Sequence, residues 1–384
     1  MSVEAVQRER VEALDGIRGI AILCVVLFHC SLRMEGPWRI AGSWGWMGVD
    51  LFFVLSGFLI TGILLDARDL PFRIYYRGFY GRRLLRIAPA FVAFMALLVA
   101  APSLTGQTVE AHVILTRHEA WYWAFLANAL IAAYGWAAVI PQTAPLWSLA
   151  VEEQFYLIWP SVLRRLSTRG VLRLGIALIV LAALSRTVLA REGVSVDTLY
   201  VLMPTRADLL AWGAVVAALI RLPNGISLIR RLLWPALLMA IVAVLVVVVR
   251  YRSSYYWSAT MVTVGYPAIA VAAACLVAIA IIYNPAALRF RWLSGIGKVS
   301  YGLYLWHMTG IEVLARFVRH RGALFLPLAL VTSLVPTLIS WYLIERPALL
   351  LKRFVPMRDT EVLAADALTP VATDVAEPRQ QTTE

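Results

Sequence analysis

Two ionisable side chains share one face of the first apolar segment of the chain. In LDGIRGIAILCVVLFHC, Arg18 and His29 are eleven residues apart. A helix with about 100° per residue directs them within about 20° of each other and separates them by roughly 16 Å along its axis. Asp15, one turn before Arg18, can neutralise the guanidinium. Ionisable groups in an apolar span are costly and mark functional candidates, so we predict a catalytic base at His29 and an anion-binding group at Arg18.

A second polar stripe lies in LWSLAVEEQFYLIWP. Ser148, Glu152 and Tyr156 follow i, i+4, i+8 spacing, which places them on one face of a helix. Helical rise puts Glu152 about 9 Å from the outer end of that helix, a level close to that expected for His29. We therefore predict Glu152 as the group that orients His29 or acts with it as a base. Ser148 and Tyr156 are candidate donors to a developing oxyanion.

Four further polar residues enter apolar spans from the same outer side. Asp50 opens GVDLFFVLSGFLIT and is a second candidate catalytic carboxylate. Arg206 and Asp208 open RADLLAWG, and His307 lies in VSYGLYLWH; all three are candidate substrate contacts, and His307 is also a candidate oxyanion donor. Because Arg206 and Asp208 are only two residues apart, they point to different faces, and we expect each to pair with another helix.

A basic cluster occupies the opposite mouth of the predicted bundle. Arg82, Arg83 and Arg86 lie together in RRLLRIAP, and with Arg18 they are candidates for binding a polyanionic ligand. Guanidinium groups in such a loop also anchor a membrane protein to anionic lipids and set its topology. This second explanation stays open at the level of the sequence.

The composition identifies the class of protein. The chain has 384 residues, of which 61% are hydrophobic and 15% are charged, and its mean hydropathy is +0.76. These values exclude an ordinary soluble domain and indicate a multi-pass membrane protein. The net charge of +12 is scattered between apolar runs, which argues against a nucleic-acid partner. Cys24, Cys30 and Cys275 show no ligand spacing, and we expect no metal.

The apolar runs predict an all-α fold with about ten transmembrane helices. The predicted spans are 14–33, 46–65, 86–103, 146–163, 171–190, 205–220, 232–249, 259–283, 296–318 and 323–345. Four arginine-rich loops fall on one side of this arrangement if 121–139 does not cross the membrane. We therefore predict cytoplasmic N- and C-termini and an outward segment, 105–145, that is re-entrant or lies in the interface.

The predicted organisation has three parts. Residues 1–13 form a cytoplasmic N-terminal segment, and residues 14–350 form a single transmembrane domain. Residues 351–384 turn polar, with threonines, glutamines and acids, and we expect a disordered cytoplasmic tail.

Seven motifs, in order, resemble those of the membrane-bound acyltransferase type 3 family, which includes O-antigen acetylases. They are LDGIRGIAILCVVLFH, GVDLFFVLSGFLIT, RRLLRIAP, LWSLAVEEQFYLIWP, RADLLAWG, GKVSYGLYLWH and WYLIERP. The family carries an Arg or Lys, ten residues and then His in its first span, which corresponds to Arg18 and His29. It also carries Ser-Leu-x-x-Glu-x-x-x-Tyr, which corresponds to Ser148, Glu152 and Tyr156.

The resemblance implies an acyl donor such as acetyl-CoA or another acyl-CoA, used from the cytoplasm, and an acceptor hydroxyl, often on a sugar. Some members append an extracytoplasmic esterase-like domain, and we expect none here. The predicted protein is an O-acyltransferase of the bacterial cytoplasmic membrane that modifies a cell-envelope polysaccharide, with membrane lipids around it. A tailoring enzyme for a macrolide or similar small glycosylated metabolite is the alternative acceptor class. A proton-coupled transporter is the alternative of another class, because relays of buried ionisable groups serve that function too.

Overall fold

The fold is helical throughout the part of the chain described by this computed structural model, which covers residues 3–251, 258–318 and 322–355. No β-strand occurs within those ranges. The α-helices are α1 Val3–Ser31, α2 Pro37–Gly42, α3 Met47–Ala67, α4 Phe72–Ala100, α5 Val109–Trp123, α6 Ala127–Tyr134, α7 Leu146–Leu163, α8 Thr168–Arg191, α9 Val196–Val201, α10 Met203–Leu219, α11 Gly225–Tyr251, α12 Tyr266–Tyr283, α13 Arg291–Lys298, α14 Ser300–Phe317, α15 Phe325–Ser340 and α16 Arg346–Leu350. Short π-helical turns, Met261–Gly265 and Trp341–Glu345, precede α12 and α16. The prediction of an all-helical protein is confirmed.

Eight helical segments in the described residues are long and apolar enough to cross a membrane. They are Glu12–Ser31, Met47–Ala67, Phe72–Ala100, Thr168–Arg191, Val196–Leu219, Gly225–Val249, Met261–Tyr283 and Phe325–Phe354. A helix satisfies its own backbone hydrogen bonds, which lipid cannot do for it. Each segment corresponds to a predicted span, so the prediction of a multi-pass membrane protein is confirmed.

The other two predicted spans, 146–163 and 296–318, contain the helices α7 and α14. Each is 18 residues long, and each carries acidic or histidine side chains that make it more polar than its neighbours. Both pack inside the bundle, where they contribute Glu152 and His307 to the polar groups described below.

The helices α3 and α10 cross at very short distance near the middle of the bundle. A Cβ atom on Gly57 of α3 would collide with the backbone carbonyl of Leu210, and one on Gly213 of α10 would collide with the carbonyl of Val54. Close approach of this kind uses glycine because dispersion contacts between backbones hold membrane helices together. In contrast, α11 exposes most of its apolar side chains, as a lipid-facing helix does.

The segment between α4 and α7 does not cross the membrane as a single helix. It forms α5 of 15 residues and α6 of 8 residues, and the chain turns between them at Phe125, whose φ is 53°. The side chains of Asn128 and Gln154 exchange hydrogen bonds of 2.9 and 3.2 Å, which fasten α6 to α7. Residues 121–139 therefore do not form one continuous helix, and their position on the outer side of the membrane stays a prediction.

The predicted domain boundary at 350/351 coincides with the end of α16, whereas the one at 13/14 lies inside α1. The helix α1 begins at Val3, ahead of the predicted boundary. At the other end Leu351–Phe354 forms a 3-10 helix. The rest of the predicted tail, 356–384, lies outside the described residues.

Candidate active site

His29 meets a second histidine from the far end of the sequence. The Nδ1 atom of His29 lies 2.9 Å from the carbonyl oxygen of Val25 and 3.2 Å from Nε2 of His307 on α14. The two ring centres are 4.9 Å apart. His29 is partly exposed, whereas His307 is fully buried. His307 was predicted as a substrate contact, but in this conformation it lies behind His29 and is closed to substrate.

The helix α14 also reaches the polar stripe of α7. The hydroxyl of Tyr304 donates to the carbonyl oxygen of Pro145 at 2.7 Å. Its oxygen also lies 2.6 Å from the oxygen of the Ser148 hydroxyl, and either hydroxyl can be the donor of this hydrogen bond. Tyr304 and His307 are neighbours on α14, with ring centres 5.7 Å apart. Ser148 is thus connected to the histidine pair through side chains of α14.

Both oxygens of the Glu152 carboxylate have a hydroxyl donor. Ser56 of α3 donates to Oε1 at 2.7 Å, and Tyr156, one turn further along α7, donates to Oε2 at 3.0 Å. The predicted i, i+4 stripe is therefore present. Sequence reasoning missed Ser56, for which the available signal was a hydroxyl between Asp50 and Thr61 in the largely apolar motif GVDLFFVLSGFLIT.

The predicted direct pairing of Glu152 with His29 is not the arrangement found. Among the described residues, the hydrogen bonds of His29 lead to Val25 and His307, and those of Glu152 lead to Ser56 and Tyr156. The reason is that α14 contacts α1 and α7 at this level. The two groups lie in one row of polar side chains, which we call the polar line. It runs from His29 through His307 and Tyr304 of α14 to Ser148 and Glu152 of α7.

Arg83 connects the basic cluster with this polar line. Its guanidinium carbon lies 3.7 Å from the ring centre of Tyr156. It also lies within electrostatic range of Glu152 and of the neighbouring Glu153. A cation over an aromatic face is attracted by the ring quadrupole, and the attraction is stronger where water is excluded. Arg83 therefore reaches the carboxylate from the basic side of the site.

Arg18 and Arg86 complete a basic cluster that contains its own acids. Arg18 donates to Asp15 at 2.5 Å, so the predicted neutralisation within α1 is confirmed. Arg86 lies within electrostatic range of Arg18, Arg83, Asp15 and Glu345. Three guanidinium groups at one mouth, partly balanced by two carboxylates, provide the charge and donor geometry that suit phosphate groups.

The C-terminal helices close this mouth. Glu345 is buried at the end of the π-helical turn Trp341–Glu345 and accepts a hydrogen bond of 3.2 Å from Ser340. It belongs to the motif WYLIERP but was given no role from the sequence. Arg82 differs from the other arginines of its segment, because its Nε donates to the carbonyl oxygen of Val355 at 3.4 Å.

Asp50, Arg206 and Asp208 lie in a sealed cluster of ion pairs. Arg206 bonds to Asp50 of α3, and Asp208 bonds to Arg186 of α8 at 2.6 Å. The exposed fraction of all four side chains is at most 2%. The prediction that Arg206 and Asp208 pair with other helices is confirmed. Because none of these groups can be reached in this conformation, we interpret them as a clamp between α3, α8 and α10 and not as contacts to substrate.

Aromatic rings pack around this clamp. The guanidinium of Arg206 lies 5.0 Å from the ring centre of Tyr200 and 4.6 Å from that of Tyr266. Arg186, which sequence reasoning missed, also donates to the carbonyl oxygen of Thr205. The sequence does contain a signal for Arg186, because it is a charged residue inside the largely apolar predicted span 171–190.

Comparison with known proteins identifies the family to which the chain belongs. A family model described as an acyltransferase domain matches residues 11–346. YrhL of Bacillus subtilis (strain 168), whose name marks it as a candidate peptidoglycan O-acetyltransferase, is 31% identical over 88% of this chain and 54% of its own length. The peptidoglycan O-acetyltransferase OatA of Listeria monocytogenes is 29% identical over 78% of this chain and 49% of its own. The O-acetyltransferase OatA of Staphylococcus aureus (strain NCTC 8325 / PS 47) is 28% identical over 77% and 49%.

The chain spans about half the length of these curated relatives. No solved structure matches it at a significant level. The family match covers the two motif helices, α1 and α7, and extends to Glu345 and Arg346. It sets aside the alternative of a proton-coupled transporter, because the matched domain is an acyltransferase. The chain therefore belongs to the membrane-bound acyltransferase type 3 family.

Proposed function

We propose that the protein is an integral-membrane O-acyltransferase that moves an acyl group, in the simplest case acetyl, from acyl-CoA to a hydroxyl of a cell-envelope polysaccharide. The relatives named peptidoglycan O-acetyltransferases support this acceptor class over a small glycosylated metabolite. The observation that carries the proposal is the position of Arg18 and His29 on one helix, each at the centre of a separate polar cluster.

The basic cluster is the proposed donor site. Arg18, Arg83 and Arg86 would hold the phosphate groups of acyl-CoA, with Arg82 at the rim, because guanidinium forks match phosphate oxygens in geometry and charge. Acyl-CoA would supply the activated acyl group. The acids Asp15 and Glu345 limit the uncompensated charge of the empty cluster.

The proposed topology places this cluster at the cytoplasmic face, with both termini in the cytoplasm. Four arginine-rich loops share that face in the predicted arrangement of spans, as the positive-inside rule requires. The distance from Arg18 to His29 along α1 is roughly 16 Å by helical rise. A ligand extended along this helix would present its acyl end to His29 while the membrane-spanning helices stay in place.

His29 is the proposed catalytic base. It takes the proton of the acceptor hydroxyl as the new oxygen–acyl bond forms and the carbon–sulfur bond breaks, and it returns that proton to the departing thiolate. Glu152, held by Ser56 and Tyr156, orients the acceptor hydroxyl or assists as a second base. The hydroxyl groups of Ser148 and Tyr156, which bond to Tyr304 and Glu152 in this conformation, would turn to the carbonyl oxygen to stabilise its negative charge. Asp50 acts at a distance, by holding α3 in place.

The test uses protein reconstituted in lipid nanodiscs with radiolabelled acetyl-CoA and soluble peptidoglycan fragments. We expect His29→Ala to abolish transfer, Arg18→Ala to raise KM for acetyl-CoA, and Glu152→Ala to lower kcat by about a hundredfold or more. His112→Ala, which alters a histidine of α5 outside the site, is the control and should match the parent protein. Full activity of the His29 variant would refute the base, and an unchanged KM in the Arg18 variant would refute the donor site.

A further inference from the structure

The buried histidine beside His29 has no part in the reaction as proposed so far. His307 is fully enclosed, and among the described residues its side chain meets His29 through the 3.2 Å approach of its Nε2 to Nδ1 of His29. Burial of an imidazole ring costs free energy, because its two nitrogens lose their hydrogen bonds to water. Its position behind the proposed base raises the question of which nitrogen carries the proton in each ring.

The surroundings of His307 decide its tautomer. Its Nδ1 faces two acceptors, the carbonyl oxygen of Tyr304 at 2.8 Å and that of Leu303 at 3.2 Å. A carbonyl oxygen cannot donate, so Nδ1 must carry the hydrogen. In a neutral ring the second nitrogen is then an acceptor, and Nε2 of His307 presents a lone pair to His29.

The tautomer of His29 follows from the same reasoning. Its Nδ1 faces the carbonyl oxygen of Val25 at 2.9 Å and the lone pair of His307 at 3.2 Å. Both neighbours accept, so Nδ1 of His29 carries the hydrogen and shares it between them. With both tautomers reversed, Nε2–H of His307 could donate to Nδ1 of His29, but the Nδ1 lone pair of each ring would then face carbonyl oxygens, that of Val25 and those of Leu303 and Tyr304. Nε2 of His29 therefore holds the free lone pair.

We propose that His307 is a positioning residue, which keeps His29 in the tautomer whose Nε2 can accept the proton of the acceptor hydroxyl. This proposal rests on the proposed function, in which His29 is the base. After His29 takes up that proton, its Nδ1–H becomes a charge-assisted donor to the neutral His307 ring, and such hydrogen bonds are stronger than neutral ones. A neutral partner gives this support without keeping a permanent negative charge behind the base.

The backbone of α14 is held so that His307 cannot drift from this position. Ser333 of α15 donates to the carbonyl oxygen of His307 at 3.1 Å. One turn further, Gly310 has backbone contact with Ser333 where a Cβ atom would not fit. The backbone that carries the orienting ring is therefore fixed against α15, as a positioning group must be to act on its partner.

The direct test is solid-state nitrogen NMR of histidine-labelled protein in lipid bilayers. The chain has five histidines, so His29→Gln and His307→Gln identify the two signals by their loss. We expect His29 with a protonated Nδ1 and an unprotonated Nε2, and His307 likewise. A spectrum in which Nε2 of His29 carries the hydrogen would overturn the proposal, whatever the enzyme acylates.

Acyl transfer provides the second readout. His307→Gln retains a side-chain acceptor for the Nδ1–H of His29, and we expect it to keep activity within about tenfold of the parent protein, whereas His307→Leu should lose about a hundredfold in kcat at unchanged KM for acetyl-CoA. His112→Leu is the control for loss of a histidine. Equal activity of His307→Leu and the parent protein would refute the role of His307. A parent protein that transfers nothing, or a fully active His29→Gln, would instead refute the proposed function.

Discussion

Arg83 of α4 lies flat over the ring of Tyr156 of α7, with its guanidinium carbon 3.7 Å from the ring centre. The hydroxyl of that same ring donates to Glu152. Arg83, which belongs to the proposed site for acyl-CoA, is therefore in contact with Tyr156, which holds the carboxylate proposed to orient the acceptor hydroxyl. Donor binding and acceptor orientation should depend on each other at this point.

Arg83→Ala is expected to damage both halves of the reaction. Loss of the guanidinium removes a phosphate contact and a cation–aromatic contact that is worth about 1–2 kcal/mol when desolvated. We predict a rise in KM for acetyl-CoA together with a fall in kcat of about tenfold or more. Initial rates in nanodiscs measure both constants. Arg82→Ala, one residue away but turned to Val355, should change either constant far less, and a pure KM effect in Arg83→Ala would contradict the coupling.

Ser56→Ala tests a residue that only the structure revealed. Its hydroxyl donates to a carboxylate, and hydrogen bonds to charged groups contribute about 1.5–3 kcal/mol. We predict a loss in kcat of about tenfold or more, together with a lowered melting temperature, because the Glu152 carboxylate loses one of its two donors. Ser185→Ala is the matched control, because that hydroxyl only bonds to the carbonyl oxygen of Ala182 in its own helix. Equal rates for the two variants would mean that Ser56 does not act on Glu152.

The clamp between Asp50 and Arg206 should govern stability. Asp50→Asn leaves a buried guanidinium without its counter-ion, and breaking such a pair costs about 3–5 kcal/mol. The expected result is a strongly lowered melting temperature in detergent, with partial recovery in the double variant Asp50→Asn, Arg206→Met.

The pair of Arg33 and Glu312 is the control for the clamp. Its arginine side chain is 35% exposed, and a partly solvated pair contributes only about 0–1 kcal/mol. Glu312→Gln should therefore melt close to the parent protein. Equal melting shifts for Asp50→Asn and Glu312→Gln would show that burial of the first pair carries no special cost.

Glu345→Gln should strengthen donor binding. The substitution keeps an oxygen that can accept from Ser340 but removes a negative charge within range of Arg86. At low ionic strength we predict a fall in KM for acetyl-CoA of about two- to fivefold, which shrinks as salt screens the cluster. Isothermal titration with free coenzyme A checks the same effect without turnover. Weaker binding would mean that Glu345 holds Arg86 in place and does not oppose the ligand.

Local patterns predicted the single helices well. The spacing of Arg18 from Asp15 and the stripe of Ser148, Glu152 and Tyr156 depend on helical pitch alone, which a sequence displays directly. The same holds for the apolar runs, which predicted the helices that are long enough to span a membrane.

The contacts between helices could not be predicted in this way. Ser56 and Glu152 are 96 residues apart, and His29 and His307 are 278 apart. Nothing in one sequence states which helices become neighbours, so Glu152 was assigned to His29 when α14 in fact contacts both helices. The place of Asp50 in its span could be read from the sequence. The sequence did not show that its side chain faces Arg206 of α10.

The clamp also sets an order of events during synthesis. Asp50 precedes its partner by 156 residues, and Arg186 precedes Asp208 by 22. When α3 is synthesised, Arg206 has not yet been made, so the Asp50 carboxylate at the start of this helix still lacks the counter-ion that it has in the folded protein. The clamp can therefore form only after more than half of the chain has been translated.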